Sequence, residues 1–189
     1  MSLLIGFALC GSFCTLSRAM TVMRRLRDDG YELLPIMSRA VYDTDTRFGS
    51  AANLRATVTD ICGRPIVATI PEAEPLGPAT PLDALVICPC TGNTLAKLAN
   101  GITDTPVTMA AKAHLRRDRP LLLVPATNDA LSANLGNIAR LLSRKSVYFT
   151  PMVQDDPVKK PHSLVSDFDL VPEALQAALE GRQLRKLFL

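Results

Sequence analysis

Residues 82–100 read LDALVICPCTGNTLAKLAN and place two different patterns next to each other. Leu82 to Cys88 is a mostly apolar run, which is typical of a β-strand covered on both faces. Gly92 to Asn100 has the apolar spacing of a helix, and a short polar turn separates the two. A buried strand, a tight turn and a helix in this order predict one β/α unit of a parallel sheet.

The rest of the chain repeats this alternation of apolar runs with segments of helical period. From Leu16 the apolar residues recur at spacings of three and four, and Gly30 is suited to end that helix. Pro71 to Pro81 holds four prolines and predicts a loop. The alternation predicts a parallel sheet with helices on both faces. The predicted strands are 3–9, 31–36, 65–70, 82–88, 120–124 and 147–150, and the predicted helices start at Leu16 and span 51–61, 92–100, 106–115, 132–142 and 171–179.

The composition is that of a globular chain of 189 residues, with 48% apolar and 21% charged residues. This length predicts a single domain, 1–189. Within it we expect a C-terminal loop-plus-helix extension from about residue 151. A net charge of +3 with 5% aromatic residues and no Trp argues against a nucleic-acid-binding protein.

The apolar run Leu3–Cys10 lacks the basic flank and the small cleavage-site residue of a signal peptide, so it predicts a buried strand. No apolar run approaches the length of a membrane span, about 18 residues. Five cysteines without secretion signals indicate reduced, mostly buried thiols of the cytoplasm. Cys88 and Cys90 lack zinc-ligand spacing, and we expect no metal site.

Small polar residues follow the first two predicted strands, where ligands of open α/β sheets bind. Gly11 and Ser12 come before a helix N-terminus and suit a mononucleotide phosphate, although a structural tight turn explains them equally well. Ser12 stands where a P-loop requires Lys, so an NTP site is not indicated. Ser38 offers a second hydroxyl, with a helix N-cap serine beside a solvated Arg39 as the alternative.

The third and fourth turns carry amides and hydroxyls. Thr91, Asn93 and Thr94 surround a glycine in the third turn, and Pro125–Asp129 forms the fourth. Such a mixture of donors and acceptors suits the polar edge of a planar heterocycle.

These motifs together resemble a known family over nearly the whole chain. Pro89 to Asp104 is similar to the P-x-S/T-x-N-T-x-x-K-x-x-x-G-x-x-D signature of the flavoprotein family of FMN-dependent cysteine decarboxylases. Pro125–Asn128 resembles the P-A-M-N motif of that family, with Thr127 in place of Met. The segment QDDPVKKP at 154–161, with MAAKA at 109–113, is closer to its dipicolinate synthase B branch.

The resemblance implies a three-layer α/β/α, Rossmann-like (flavodoxin-like) parallel sheet that binds FMN, usually in a homo-oligomer whose interfaces complete the sites. For the branch it implies oxidation of a dihydrodipicolinate-type precursor together with a nicotinamide-binding A subunit, in the mother cell of a sporulating bacterium. Asn128 is then the candidate for binding a carboxylate of a small dicarboxylate. The implied FMN-binding residues are Gly11, Ser12, Phe13, Ser38, Cys90, Thr91, Asn93, Thr94 and Ala126.

The sequence also departs from the family. The cysteine decarboxylases use a histidine in the first half of the chain, whereas the first histidine here is His114, which we predict to be a solvated helix-end residue. The prenyl-transferring relatives carry an Arg-Glu pair that Ala126–Asn128 lacks. The alternatives are an FMN-dependent decarboxylase of a cysteinyl substrate, a non-catalytic flavin-binding partner of the A subunit, and an FMN-free assembly protein.

The charged segment 154–163 is bracketed by Pro157 and Pro161 and cannot be the interior of a helix. One interpretation is a solvated loop. The other is a lid or partner-docking loop whose lysines meet a dicarboxylate or a phosphate. His162, next to this lysine pair, is a weaker candidate for approaching the site.

Overall fold

The structure is a computed structural model that describes residues 2–189. Its strands are β1 (Leu4–Leu9), β2 (Glu32–Met37), β3 (Ala84–Cys90), β4 (Leu121–Thr127), β5 (Val147–Phe149), β6 (Met152–Val153) and β7 (Leu164–Ser166). Its helices are α1 (Leu16–Asp28), α2 (Arg39–Asp43), α3 (Ala51–Cys62), α4 (Ile70–Ala73), α5 (Gly92–Asn100), α6 (Pro106–Leu115), α7 (Leu135–Leu142) and α8 (Val171–Leu179).

Five strands form a parallel sheet in the order β2-β1-β3-β4-β5. The far edge of β4 is shared between two partners. Leu121–Leu123 pair with β5, whereas Ala126 and Thr127 pair with the antiparallel β7, which in turn pairs with β6. The strand order reverses between β1 and β3, and this reversal is the point where open α/β sheets bind their ligands.

Alternate residues of the central strands face two separate hydrophobic clusters. Val86 and Cys88 of β3 face a cluster that includes residues of α1, α3 and α8. Leu85 and Ile87 face the other cluster, to which α4, α5, α6 and α7 contribute. The sheet is therefore covered on both faces, and the predicted three-layer α/β/α architecture is confirmed.

Locally capped helices lie where the sequence predicts them. The α5 helix spans the predicted residues 92–100, because Thr91 accepts a hydrogen bond from Thr94 N–H at its start and Gly101 takes the left-handed conformation at its end. Thr105 caps α6 in the same way, with Pro106 in the first turn.

The predicted strand at 65–70 is wrong, since only Val67 forms a bridge, with Ile36 of β2. Thr69 instead begins α4 through a capping box with Glu72, and Pro71 lies in the first turn of that helix. The predicted loop at 71–81 is therefore also wrong at its start. The capping interactions outweigh the β-branched residues of this segment.

His114 is not a solvated helix-end residue, as the sequence suggested, but is only 1% exposed. Its Nε2 lies 2.9 Å from the Pro120 carbonyl oxygen, which can only accept, so Nε2 carries the hydrogen. Burial lowers the pKa of His114, and the hydrogen bond to Pro120 only partly opposes this shift. Of the nearby charges, Arg119 lowers the pKa further and Asp83 raises it.

Replacing His114 by alanine should lower the free energy of unfolding by about 2 kcal/mol at pH 7, through a cavity and an unpaired carbonyl. Because the folded-state pKa lies below that of the unfolded chain, the unfolded chain takes up the proton first as the pH falls. The wild type should therefore lose stability below about pH 6.5, and His114→Ala should lose less over the same interval. Urea unfolding between pH 7.5 and 5 measures both, and parallel curves for the two proteins would contradict this role.

Among residues 2–189, no helix is long and apolar enough to cross a membrane.

Candidate functional site

A cleft of about 680 Å³ lies at the carboxyl ends of β1, β3 and β4. Its volume is within the usual range for small-molecule sites. Segments distant in sequence form its walls: the turn after β1, the loop before α3, the turns after β3 and β4, and the loop that leads into β7. The lining residues are Gly11, Ser12, Phe13, Cys14, Thr15, Arg18, Arg47, Phe48, Thr91, Ala126, Thr127, Asn128, Asp155, Lys160, Ser163 and Val165.

The turn after β1 brings hydroxyl groups to the cleft. Ser12 N–H donates to the Cys10 carbonyl at 2.8 Å, and the Thr15 hydroxyl donates to both the carbonyl and the hydroxyl oxygen of Ser12. A Cβ on Gly11 would come no closer than 3.6 Å to any other group of the chain, so the fold itself does not require glycine there. The turn is tight, as one interpretation of the sequence expected, and it also opens onto the cleft.

Ser38 lies next to this turn, because its N–H donates to the carbonyl of Leu9 at the end of β1. It is the N-cap residue of α2, but its hydroxyl makes no capping hydrogen bond. The buried Oγ has no hydrogen-bond partner within residues 2–189, which is unusual for a buried hydroxyl. The neighbouring Arg39 is exposed and pairs with Asp43 at 3.0 Å.

The hydroxyls of the turn after β3 are partly used inside the protein. Thr91 Oγ1 accepts from Thr94 N–H as the cap of α5 and still lines the cleft. Thr94 is buried, and its hydroxyl donates to Cys10 Sγ at 3.3 Å. Burial raises the pKa of Cys10 to about 11, so this thiol stays neutral at physiological pH. Cys90 is also buried, and burial raises the pKa of its thiol.

A network of side-chain hydrogen bonds holds the turn after β4. The Asp129 carboxylate accepts from the Thr127 hydroxyl and, at 2.8 Å, from Asn134 Nδ2. Asn134 is only 4% exposed. This network packs directly on Gly92, where an added Cβ would lie 2.6 Å from atoms of Asp129 and Asn134. The turns after β3 and β4 are therefore fitted to each other, and Asn128 lies in the second of them, on the lining of the cleft.

Sequence reasoning missed Asp129 and Asn134 as supporting residues. Their spacing is typical of a polar loop before a helix, and only the position of Gly92 beside the neighbouring strand end gives them a role. Arg18 was also missed. Its guanidinium carbon lies 4.4 Å from the centre of the Phe168 ring, which places a cation on the cleft wall.

The segment 154–163 is tied to the protein. Leu131 N–H, outside the segment, donates to the carbonyl of His162. Within the segment, Gln154 Nε2 donates to the Pro161 carbonyl at 2.9 Å. Lys160 Nζ pairs with Asp155 Oδ2 at 2.8 Å, and both residues line the cleft. The hydrogen bond from Lys160 lowers the pKa of Asp155 and raises that of Lys160. The side chain of His162 is exposed and is not part of the cleft lining.

The structure brings together six of the ten residues singled out from the sequence. The cleft is lined by Gly11, Ser12, Phe13, Thr91, Ala126 and Asn128. The other four, Ser38, Cys90, Asn93 and Thr94, lie beside the cleft without lining it. Asn93 is exposed at the start of α5.

A second, smaller cavity of about 300 Å³ adjoins the cleft. The two share Phe13, Cys14 and Phe48, and the smaller one continues between α1 and α3. Phe48 is 55% exposed, so the shared wall is open towards solvent in the single chain.

Comparison with known proteins gives consistent matches over most or all of the chain. The family model described as Flavoprotein matches residues 2–168. The B subunit of dipicolinate synthase from Bacillus subtilis (strain 168) is 45% identical over 183 residues, which cover 97% of this chain and 92% of that protein. The crystal structure of the dipicolinate synthase B subunit from Bacillus halodurans C has a TM-score of 0.92 at 42% identity, covering 100% of this chain and 98% of that one.

A more distant structure has the same fold. The dodecameric FMN-dependent Ubix-like decarboxylase from Escherichia coli O157:H7 has a TM-score of 0.65 at 23% identity, covering 79% of this chain and 80% of that one. The family model and the two dipicolinate synthase B subunits confirm the resemblance that was predicted from the motifs of the turns.

Proposed function

Since this chain belongs to the Flavoprotein family, we propose that its cleft binds FMN and that it serves as the B subunit of a dipicolinate synthase. In this role it acts with a nicotinamide-binding A subunit to oxidise a dihydrodipicolinate-type precursor, in the cytoplasm of the mother cell of a sporulating bacterium. The observation that carries the proposal is the meeting of the Gly11–Ser12 turn, Thr91 and Asn128 around one cleft. The 45% identity to a dipicolinate synthase B subunit, over nearly the full length of both chains, supports this role.

The residues at the cleft fit FMN. The buried Ser38 hydroxyl lacks a partner within the described chain and lies next to the open Gly11–Ser12 turn, where a phosphate would supply the missing acceptor. Thr91 follows β3, the strand next to β1, and lines the same cleft, where it would contact the flavin ring or the ribityl chain of FMN. The proposal extends to Phe13, Cys90, Asn93, Thr94 and Ala126, and to a homo-oligomer whose neighbouring copies complete the site.

When bound, FMN would supply a two-electron acceptor for the substrate. The chain itself contributes binding and orientation. The amide of Asn128, next to the Asp129 network, would donate hydrogen bonds to a substrate carboxylate and so place the ring carbon that loses hydride. Phe13, Phe48 and Val165 add apolar surface to the cleft, which is open towards solvent at Phe48 in the single chain.

The proposal is tested by loading the purified protein with FMN, recording its absorbance at about 450 nm, and measuring dipicolinate formation after reconstitution with the A subunit. Asn128→Ala should keep FMN and the complex but lower turnover by about tenfold, since it removes a hydrogen bond to a charged group. Asn100→Ala at the end of α5 is the control, because its exposed amide bonds the Ala96 carbonyl and Arg140, away from the cleft lining.

The possible outcomes separate the alternatives. Unchanged turnover of Asn128→Ala in an intact complex would favour a non-catalytic flavin-binding partner of the A subunit. Carbon dioxide release from a cysteinyl substrate would favour an FMN-dependent decarboxylase. If FMN bound neither to the free protein nor to its complex with the A subunit, the proposal as a whole would be contradicted.

A further inference from the structure

The cleft carries more positive than negative charge. Arg18, Arg47 and Lys160 are the cations of the lining, and Asp155 is its anion. In the proposed function the hydroxyls of Ser12 and Ser38 receive the FMN phosphate. The cations, which come from other segments of the chain, are then available to a second anion.

The loop that carries Lys160 is held in place beside the turn after β4. Ala126 pairs with Val165 and Thr127 with Leu164, and extending this antiparallel register by one residue brings Ser163 level with Asn128. Ser163 N–H donates to the Lys160 carbonyl at 3.0 Å. The register of β7 on β4 therefore brings the Lys160 segment to the part of the cleft that Asn128 lines.

The Lys160 side chain is itself oriented. Its Nζ lies 2.8 Å from Asp155 Oδ2, within the same loop. An ammonium group has three donors, so one ion pair leaves donors for a ligand. Lys159, its neighbour in sequence, is exposed and does not line the cleft. The structure thus distinguishes two lysines that the sequence presents as equivalent.

We infer that Lys160 is a carboxylate-binding residue of this cleft, which holds one anionic group of a small dicarboxylate beside Asn128. The inference rests on the proposed function and names the residue that favours a dicarboxylate over a neutral ring. Asp155 acts as a positioning residue, because it holds the ammonium group against the wall without removing all of its donors.

The test is calorimetric titration of dipicolinate into the FMN-loaded protein, in buffer freed of divalent cations because dipicolinate binds them. Lys160→Met should weaken dipicolinate binding by about tenfold, through loss of one charge-assisted hydrogen bond. Lys159→Met, which removes the same charge from the same loop, should change it by less than about twofold. Lys160→Arg should recover most of the affinity, and FMN affinity should be the same in all four proteins.

Equal dipicolinate affinity in Lys160→Met and Lys159→Met would overturn the inference and leave the proposed function intact. Loss of FMN together with dipicolinate in Lys160→Met alone would also overturn it, by assigning Lys160 to the phosphate. A wild-type protein that binds neither FMN nor dipicolinate would remove the proposed function and the inference with it. Thermal unfolding of each variant checks the fold, which we expect to be unchanged because the Lys160 side chain is 53% exposed.

Discussion

Gly92→Ala should lower the free energy of unfolding by about 2–4 kcal/mol and abolish tight FMN binding. An added Cβ would lie 2.6 Å from Asp129 Oδ1 and Asn134 Nδ2 and 2.7 Å from Thr127 Oγ1. These atoms cannot move aside separately, because they are hydrogen-bonded to one another. The methyl group must therefore break the network or push the turns after β3 and β4 apart.

Chemical unfolding and FMN titration measure the two parts of this expectation. Gly136→Ala is the matched control, since Gly136 lies in α7 and an added Cβ meets no atom within 4 Å. Alanine is the better helix former, so this control should gain about 0.5–1 kcal/mol. If Gly92→Ala were as stable as the wild type, the close packing of the two turns would not exist in solution.

Gly11→Ala should have the opposite profile, with a normal fold and a loss of FMN affinity of about a hundredfold. An alanine Cβ would meet Phe13 at 3.6 Å and Ala40 at 3.7 Å, which is ordinary packing, so stability should change by less than about 1 kcal/mol. The methyl group would lie at the cleft lining beside Ser12, where the proposed phosphate position requires close approach to the backbone. The expected loss corresponds to one or two charge-assisted hydrogen bonds.

Fluorescence titration of FMN, with thermal unfolding as the check on folding, decides this expectation. Gly136→Ala again shows the effect of adding a methyl group far from the cleft. An unchanged FMN affinity in Gly11→Ala would place the phosphate elsewhere, and the roles of Ser12 and Ser38 would have to be assigned again. A destabilised Gly11→Ala would instead show that the turn after β1 is required by the fold.

Interactions between residues close in sequence explain which elements were predicted well. The α5 helix starts and ends as expected because its cap, Thr91, and its terminating glycine, Gly101, are part of the same short segment. The wrongly predicted strand at 65–70 also has a local cause. The capping pair Thr69 and Glu72 starts α4 there, despite the β-branched residues of the segment. Thr69 and Glu72 are three residues apart, so the start of α4 is encoded in the local sequence.

Other features depend on partners that no local pattern indicates. The pairing of β7 with β4 joins segments about forty residues apart, and each paired segment is short. His114 is buried, and its ring bonds the carbonyl of Pro120 beyond the end of its helix. Asp129 and Asn134 gain a role only because Gly92 packs against them.

The sequence by itself determined the alternation of strands and helices, the turns that carry polar residues, and the family to which the chain belongs. These properties follow from periodicity, capping and motif spacing, all of which act over a few residues. Only the tertiary structure decided which of those polar residues line the cleft, and that Lys160 rather than Lys159 does so. The reason is that hydrogen-bonded strand register, set by partners far apart in the chain, determines which side chains share one surface.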